Sequence, residues 1–101
     1  MLTERIELDK LSRAVNMLKV IAHPVRLAVV DVLTNNKQMT VLEIQEALGL
    51  EQAVASQHLT LLIDKGVLRS EKVGRNKYVS LRYPKMKTII SCMENCCNEE
   101  A

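Results

Sequence analysis

Leu8, Leu11, Val15, Leu18 and Ala22 recur at steps of three and four, the spacing that lines one face of an α-helix. They predict an amphipathic helix over about 7–22. His23-Pro24 interrupts it, because the residue before proline is pushed out of the helical region. Pro24 itself suits the first turn of a second helix, where its missing N–H costs nothing. Leu27, Val29, Val30 and Leu33 supply that helix with a buried stripe, and Asn35-Asn36 ends it. Thr40 followed three residues later by Glu43 reads as a capping box, opening a short helix that carries Leu42, Ile44, Ala47 and Leu48 and stops at Gly49.

The next stretch, "QAVASQHLTLLIDKG", breaks the pattern. Its first half offers small and polar residues (Gln52, Ala53, Ala55, Ser56, Gln57), and its second half offers Leu59, Leu61, Leu62 and Ile63. A helix that only supports a core carries its apolar stripe along its whole length. The second helix of a helix-turn-helix does not, since its N-terminal half enters the DNA major groove while the rest packs on the protein. A short Gly-containing turn between two helices fits that motif, and an ordinary αα-hairpin fits it as well. The recognition helix is expected over about 51–65.

Downstream, β-branched and tyrosine residues flank Gly74-Arg75-Asn76, and Val79 and Leu81 alternate with Ser80 and Arg82. This period of two around a Gly/Asn turn predicts a hairpin of about 68–73 and 77–82. A hairpin placed after a helix-turn-helix is a wing. Pro84 then opens a last helix bearing Met86, Ile89, Ile90, Met93, Cys96 and Cys97 at helical spacing. The expected fold is mainly α with a small β-hairpin: a winged helix-turn-helix of about five helices and a two-stranded wing. No linker or repeat divides it, so residues 1–101 read as one domain.

Charge sharpens the picture. The 101-residue chain has a net charge of only +2. Between Lys65 and Lys87, however, stand eight basic residues and one acid, Glu71, while the remainder holds six basic residues and eleven acids. The wing segment is therefore +7 and the rest −5. A charge run is often only a solvated face, but on a wing it suits phosphate contacts that give affinity and orientation. Aromatic residues make up just 2%, so the core must be aliphatic, and at this size a second subunit is expected to complete it. No apolar run approaches the ~20 residues of a membrane span, and "MLTERIELDK" is no signal peptide. The expected location is cytoplasmic.

"LKVIAHPVRLAVVDVL", "ALGLEQAVASQHLTLLIDKGVL" and "GRNKYVSL" together resemble the ArsR/SmtB family of bacterial winged-helix repressors, over residues 11–82 in order. The resemblance implies a homodimer joined through its first and last helices. It also implies an inverted-repeat operator in double-stranded DNA, and release by an inducer that is often a metal ion or metalloid. Carried over residue by residue, it places Gln52, Ala53, Ser56, Gln57 and His58 toward DNA, with Arg75 and Lys77 at the wing tip, although on so Leu-rich a helix His58 can equally be read as partly buried against the core. Glu51 stands where the family commonly has a Ser or Thr cap. Its carboxylate can accept the helix N–H bonds, but it sets a negative charge near DNA.

The family's usual inducer sites are missing. Thr40 and Leu42 occupy the positions of its Cys-x-Cys pair, the last helix has no histidine, and the helix after Pro24 has no cysteine. Cys92, Cys96 and Cys97 remain. Such an odd, clustered set is no disulfide framework. Cys92 and Cys96 are neighbours on one helix face, with Cys97 turned about 100° from Cys96. Three thiolates suit a soft ion such as arsenite or antimonite, and no other cofactor is expected. Alternatively the thiols pack in the interface or respond to oxidants in a metal-independent regulator. Two rival classes can be stated. A winged helix used for protein–protein assembly would need neither a +7 segment nor a small, polar helix start. An enzyme would need a base beside its nucleophile, and no such frame is legible.

Overall fold

The structure, a computed structural model, describes the backbone of residues 8–100 and their side chains except those of residues 94 and 97–100. Helix α1 (Leu8–Ile21) runs into α2 (Pro24–Asn35), followed by a short strand β1 (Met39–Thr40), α3 (Val41–Leu48) and α4 (Gln52–Asp64). Strands β2 (Leu68–Val73) and β3 (Asn76–Leu81) form the hairpin, and α5 (Met86–Glu100) closes the chain. The expected elements all appear. Pro84 and Lys85 form the turn that leads into α5 rather than its first residues.

Local chemistry explains the boundaries. Thr40 Oγ1 accepts from the Glu43 N–H at 3.1 Å while the Glu43 carboxylate accepts from the Thr40 N–H at 2.9 Å, so the capping box is complete. Gly49 ends α3 in the left-handed region at φ +63°, a conformation costly for residues with a Cβ. The His23 imidazole caps α2, its Nδ1 accepting from the Val25 N–H at 3.1 Å. Thr40→Ala should cost about 1 kcal/mol of stability, read as a lower midpoint in urea denaturation.

The wing is larger than the predicted two strands. β1 joins as a third, and the antiparallel order is β1-β3-β2, with Met39 opposite Val79 and Thr40 opposite Tyr78. Thr40 is thus both the last residue of the strand and the cap of α3. The hairpin pairs Val73 with Asn76, one residue earlier than expected, across a two-residue Gly74-Arg75 loop. Gly74 has φ +63° and Arg75 does not enter the left-handed region, the pattern of a type II′ turn.

The core gathers Val30, Ile44, Leu62 and Val79, all fully buried, from α2, α3, α4 and β3. It contains no aromatic side chain. Met86 and Ile90 bring α5 onto this centre. Helix α1 has apolar residues on two sides, and Leu11 of its repeat is half-buried. Its inward residues are Met17, Val20 and Ile21, whereas the rest of the apolar repeat read from the sequence faces outward, with Leu8 74% and Leu18 50% exposed. Val15 and Ala22 are exposed too. On α3, Leu42 and Ala47 are likewise exposed, and Val41, Ile44 and Leu48 do the packing.

Candidate nucleic-acid interface

Helix α4 owes its position to Ala55, Leu59 and Leu62, which are buried against the core. Seating those three residues turns Gln52, Ala53, Ser56 and Gln57 to solvent. Thr60 is exposed on the same face, one turn beyond Ser56. Sequence reasoning missed it, although the i, i+4 step from Ser56 was the available clue. Amides and hydroxyls on a narrow face with little side-chain bulk suit hydrogen bonding to base edges.

His58 departs from this set. By helix geometry it points about 170° away from the centre of the Gln52–Gln57 face. Its half-buried ring stacks against His23, with ring centroids 4.9 Å apart and planes tilted by 44°. Burial first, and then the nearby His23 and Arg26, hold the His58 imidazole below its ordinary pKa of 6.5. Of the two readings open for His58, the one that buries it against the protein matches this geometry.

Glu51 also differs from expectation. It stands at the N-cap of α4 with no side-chain cap hydrogen bond, and only its carbonyl takes part, accepting from the Ala55 N–H at 2.9 Å. The first-turn N–H groups therefore face outward without a side-chain acceptor, which leaves them able to bond an external anion.

The hairpin supplies the cations. Arg75 lies in the loop, and Lys72 and Lys77 stand directly opposite each other across the strands, all three exposed. Like charges in a cross-strand pair are unfavourable on their own. They become favourable against a row of phosphates. Lys72 was not singled out in the sequence, because the register that sets it beside Lys77 is a tertiary fact.

Comparison with known proteins places this geometry. A family model described as a helix-turn-helix domain matches residues 21–71. The transcriptional repressor PagR of Bacillus anthracis is 36% identical over 89 residues, covering 88% of this chain and 89% of PagR. The chain belongs to the ArsR/SmtB family of winged-helix transcriptional regulators. The crystal structure of PagR superposes with a TM-score of 0.79 over 86% of this chain and 99% of that one. HlyU from Vibrio cholerae follows at 27% identity and a TM-score of 0.78, over 90% and 97%. The HTH-type transcriptional regulator YgaV of Escherichia coli is 26% identical over 82% of this chain and 84% of its own length.

Within this ArsR-type frame the thiols lie apart from the recognition helix. Cys92 and Cys96 are free and exposed on α5, and the Cys97 side chain lies outside the described residues. Of the stripe that Cys96 and Cys97 continue, Met86 and Ile90 are covered by the protomer, and Met93 is 42% exposed. Among the described residues no group of three His, Cys, Asp or Glu gathers in metal-binding geometry.

Proposed function

We propose that this chain represses transcription as a homodimer bound to an inverted-repeat operator. In this reading α4 lies in the major groove and the hairpin tip lies along the adjacent phosphates. The observation that carries it is the pairing of two surfaces on one body. One is a small, polar face on a helix whose other side is locked into the core. The other is a hairpin tip where the opposed Lys72 and Lys77, with Arg75, gather three exposed cations suited to phosphates. Gln52, Ala53, Ser56 and Gln57, with Thr60, read the bases, while Lys72, Arg75 and Lys77 hold the backbone.

Dimerisation follows from the apolar faces left open. Leu8, Val15 and Leu18 on α1 and Ile89 and Met93 on α5 are exposed, and α1, α5 and the base of the hairpin frame an open cleft. A second copy covering these faces sets two recognition helices about one DNA turn, ~10 bp, apart or a multiple of it.

Fluorescence anisotropy with a duplex from the chain's own upstream region tests the assignment. Arg75→Ala and Lys77→Ala should each weaken binding to every sequence and lower the salt slope by roughly one unit. Ser56→Ala and Gln57→Ala should instead cost about 1–3 kcal/mol at particular bases. The opposite partition, with wing variants changing base preference, would reverse the two roles.

We further infer that a thiophilic ion such as arsenite or antimonite acts as inducer through Cys92, Cys96 and Cys97. The support is the exposed i, i+4 thiol pair on a helix whose apolar face is open to a partner. Cys97 sits about 100° round the helix from Cys96. Bringing all three sulfurs to one ion therefore unwinds the last turn of α5, and that disturbs the face it offers the second copy.

A further inference from the structure

Two histidines are all the chain has, and the fold brings both to one place. His23 occupies the bend between α1 and α2, in extended backbone at φ −156° and ψ 132°. Its imidazole Nδ1 accepts from the Val25 N–H, and its carbonyl accepts from the Leu27 N–H at 2.8 Å, so the start of α2 hangs on this residue. Arg26, in the same turn, reaches back to α1 and donates from Nη1 to the Val20 carbonyl at 2.8 Å, while its Nε is buried without a partner. Against this joint lies His58, from the middle of α4, with its ring centroid 4.9 Å from that of His23. The bend that aims α1 and the underside of the recognition helix therefore share one contact, made of two imidazoles and a guanidinium.

We propose that the His23–His58 contact is a proton-operated latch, closed while the His58 ring is neutral, whose opening by acid releases the operator. This rests on the DNA-binding reading above and adds a mode of control to it.

The geometry carries the argument. The His23 ring is held in place by its cap, with Nδ1 accepting from the Val25 N–H, so it cannot turn aside when the ring packed against it changes charge. A proton on His58 would put a charge in a half-buried site, 4.9 Å from the His23 ring and within the field of Arg26, where burial and like charge both oppose it. The charges acting on His58 are those of His23 at the α1–α2 bend and Arg26 in α2. The other charged residues of the elements packed on α4 are Asp31 of α2, Glu43 and Glu46 of α3, and Arg69, Glu71 and Lys72 of β2, all exposed. On α4 itself, Glu51 and Asp64 at its two ends are exposed as well. None is placed to pair with the ring.

The sign is fixed by linkage. Because folding lowers the His58 pKa below 6.5, the unfolded chain binds a proton more readily than the folded one. The stability due to the neutral ring is complete above pH 6.5 and is lost as pH falls through the lower folded value. General electrostatics predicts the reverse for DNA binding, since added positive charge strengthens non-specific attraction to phosphates. Loss of specific binding in acid would therefore mark the latch.

The experiment is anisotropy on the full chain with the upstream duplex and a scrambled duplex, from about pH 7.5 to about pH 5.5. Native protein should lose roughly tenfold in operator affinity while binding to the scrambled duplex holds or rises. His58→Gln and His23→Asn, the latter keeping a capping side chain, should both be flat across this range. An operator affinity that does not fall, or falls equally in both variants, would overturn the latch. Failure to bind the upstream duplex even at neutral pH would overturn the DNA reading instead. The latch would then be decided by NMR of the imidazole C–H resonances, which needs no DNA. His58 should titrate below 6.5 in the native chain and move upward in His23→Asn. An unmoved His58 midpoint would sink the proposal.

Discussion

Val15→Asp together with Leu18→Asp is expected to leave the chain monomeric and to weaken operator binding about a hundredfold or more. Both side chains stand on the outward face of α1, so the protomer should fold as before. Burying a Val or Leu contributes about 1.5–3 kcal/mol, and each substitution also places an uncompensated carboxylate in the interface. Once the two copies separate, each recognition helix meets its half-site independently and the gain from linked binding disappears. Sedimentation velocity should show a mass near 11.4 kDa, circular dichroism an unchanged helix content, and anisotropy the loss of operator affinity. A variant that stays dimeric, or a monomer that binds the operator as tightly as the native chain, would refute the proposed assembly.

The next largest effect belongs to the thiols. If arsenite draws Cys92, Cys96 and Cys97 together, a coupling of about 3 kcal/mol corresponds to operator binding weakened about 150-fold. Only an ion that binds the two states of the dimer differently can shift them, and unwinding the end of α5 supplies such a difference. Zinc should release DNA poorly, because three thiolates leave its fourth position to be filled from elsewhere. Operator binding measured with and without arsenite, for the native chain, Cys92→Ser and Cys96→Ser, checks this. Arsenite that leaves the native complex intact, or that releases both variants equally well, would assign these cysteines to packing or redox chemistry.

The helices and the hairpin were readable because their signals are local. Periodicity marked α1, α2 and α5, Thr40 and Glu43 announced a cap, and Gly74 announced a turn. Exposure was not readable in the same way. Leu8, Val15 and Leu18 form a sound amphipathic repeat, but periodicity says only that one face is apolar, not which body covers it. Leu42 and Ala47 fail for the same reason. β1 spans two residues, too few for any alternation, and exists only because β3 offers it an edge. His58 was left between DNA and the core, because its direction depends on the packing of Ala55, Leu59 and Leu62 and on the distant His23. Gln57 was legible as polar because it sits across the helix from those three, with Ser56 at their flank, and Gln52 is exposed as the first residue of the helix.

The residue that stitches β1 to α3 has a consequence for the DNA itself. Since Thr40 is paired to Tyr78 in the sheet and caps α3 at the same time, the hairpin cannot swing independently of the helix-turn-helix. The span between groove-reading and backbone-gripping surfaces is then a fixed gauge, and it is the duplex that must bend or change its groove width to fit. If DNA is held as proposed above, sequences that deform cheaply are expected to bind more tightly even at base pairs no side chain reaches.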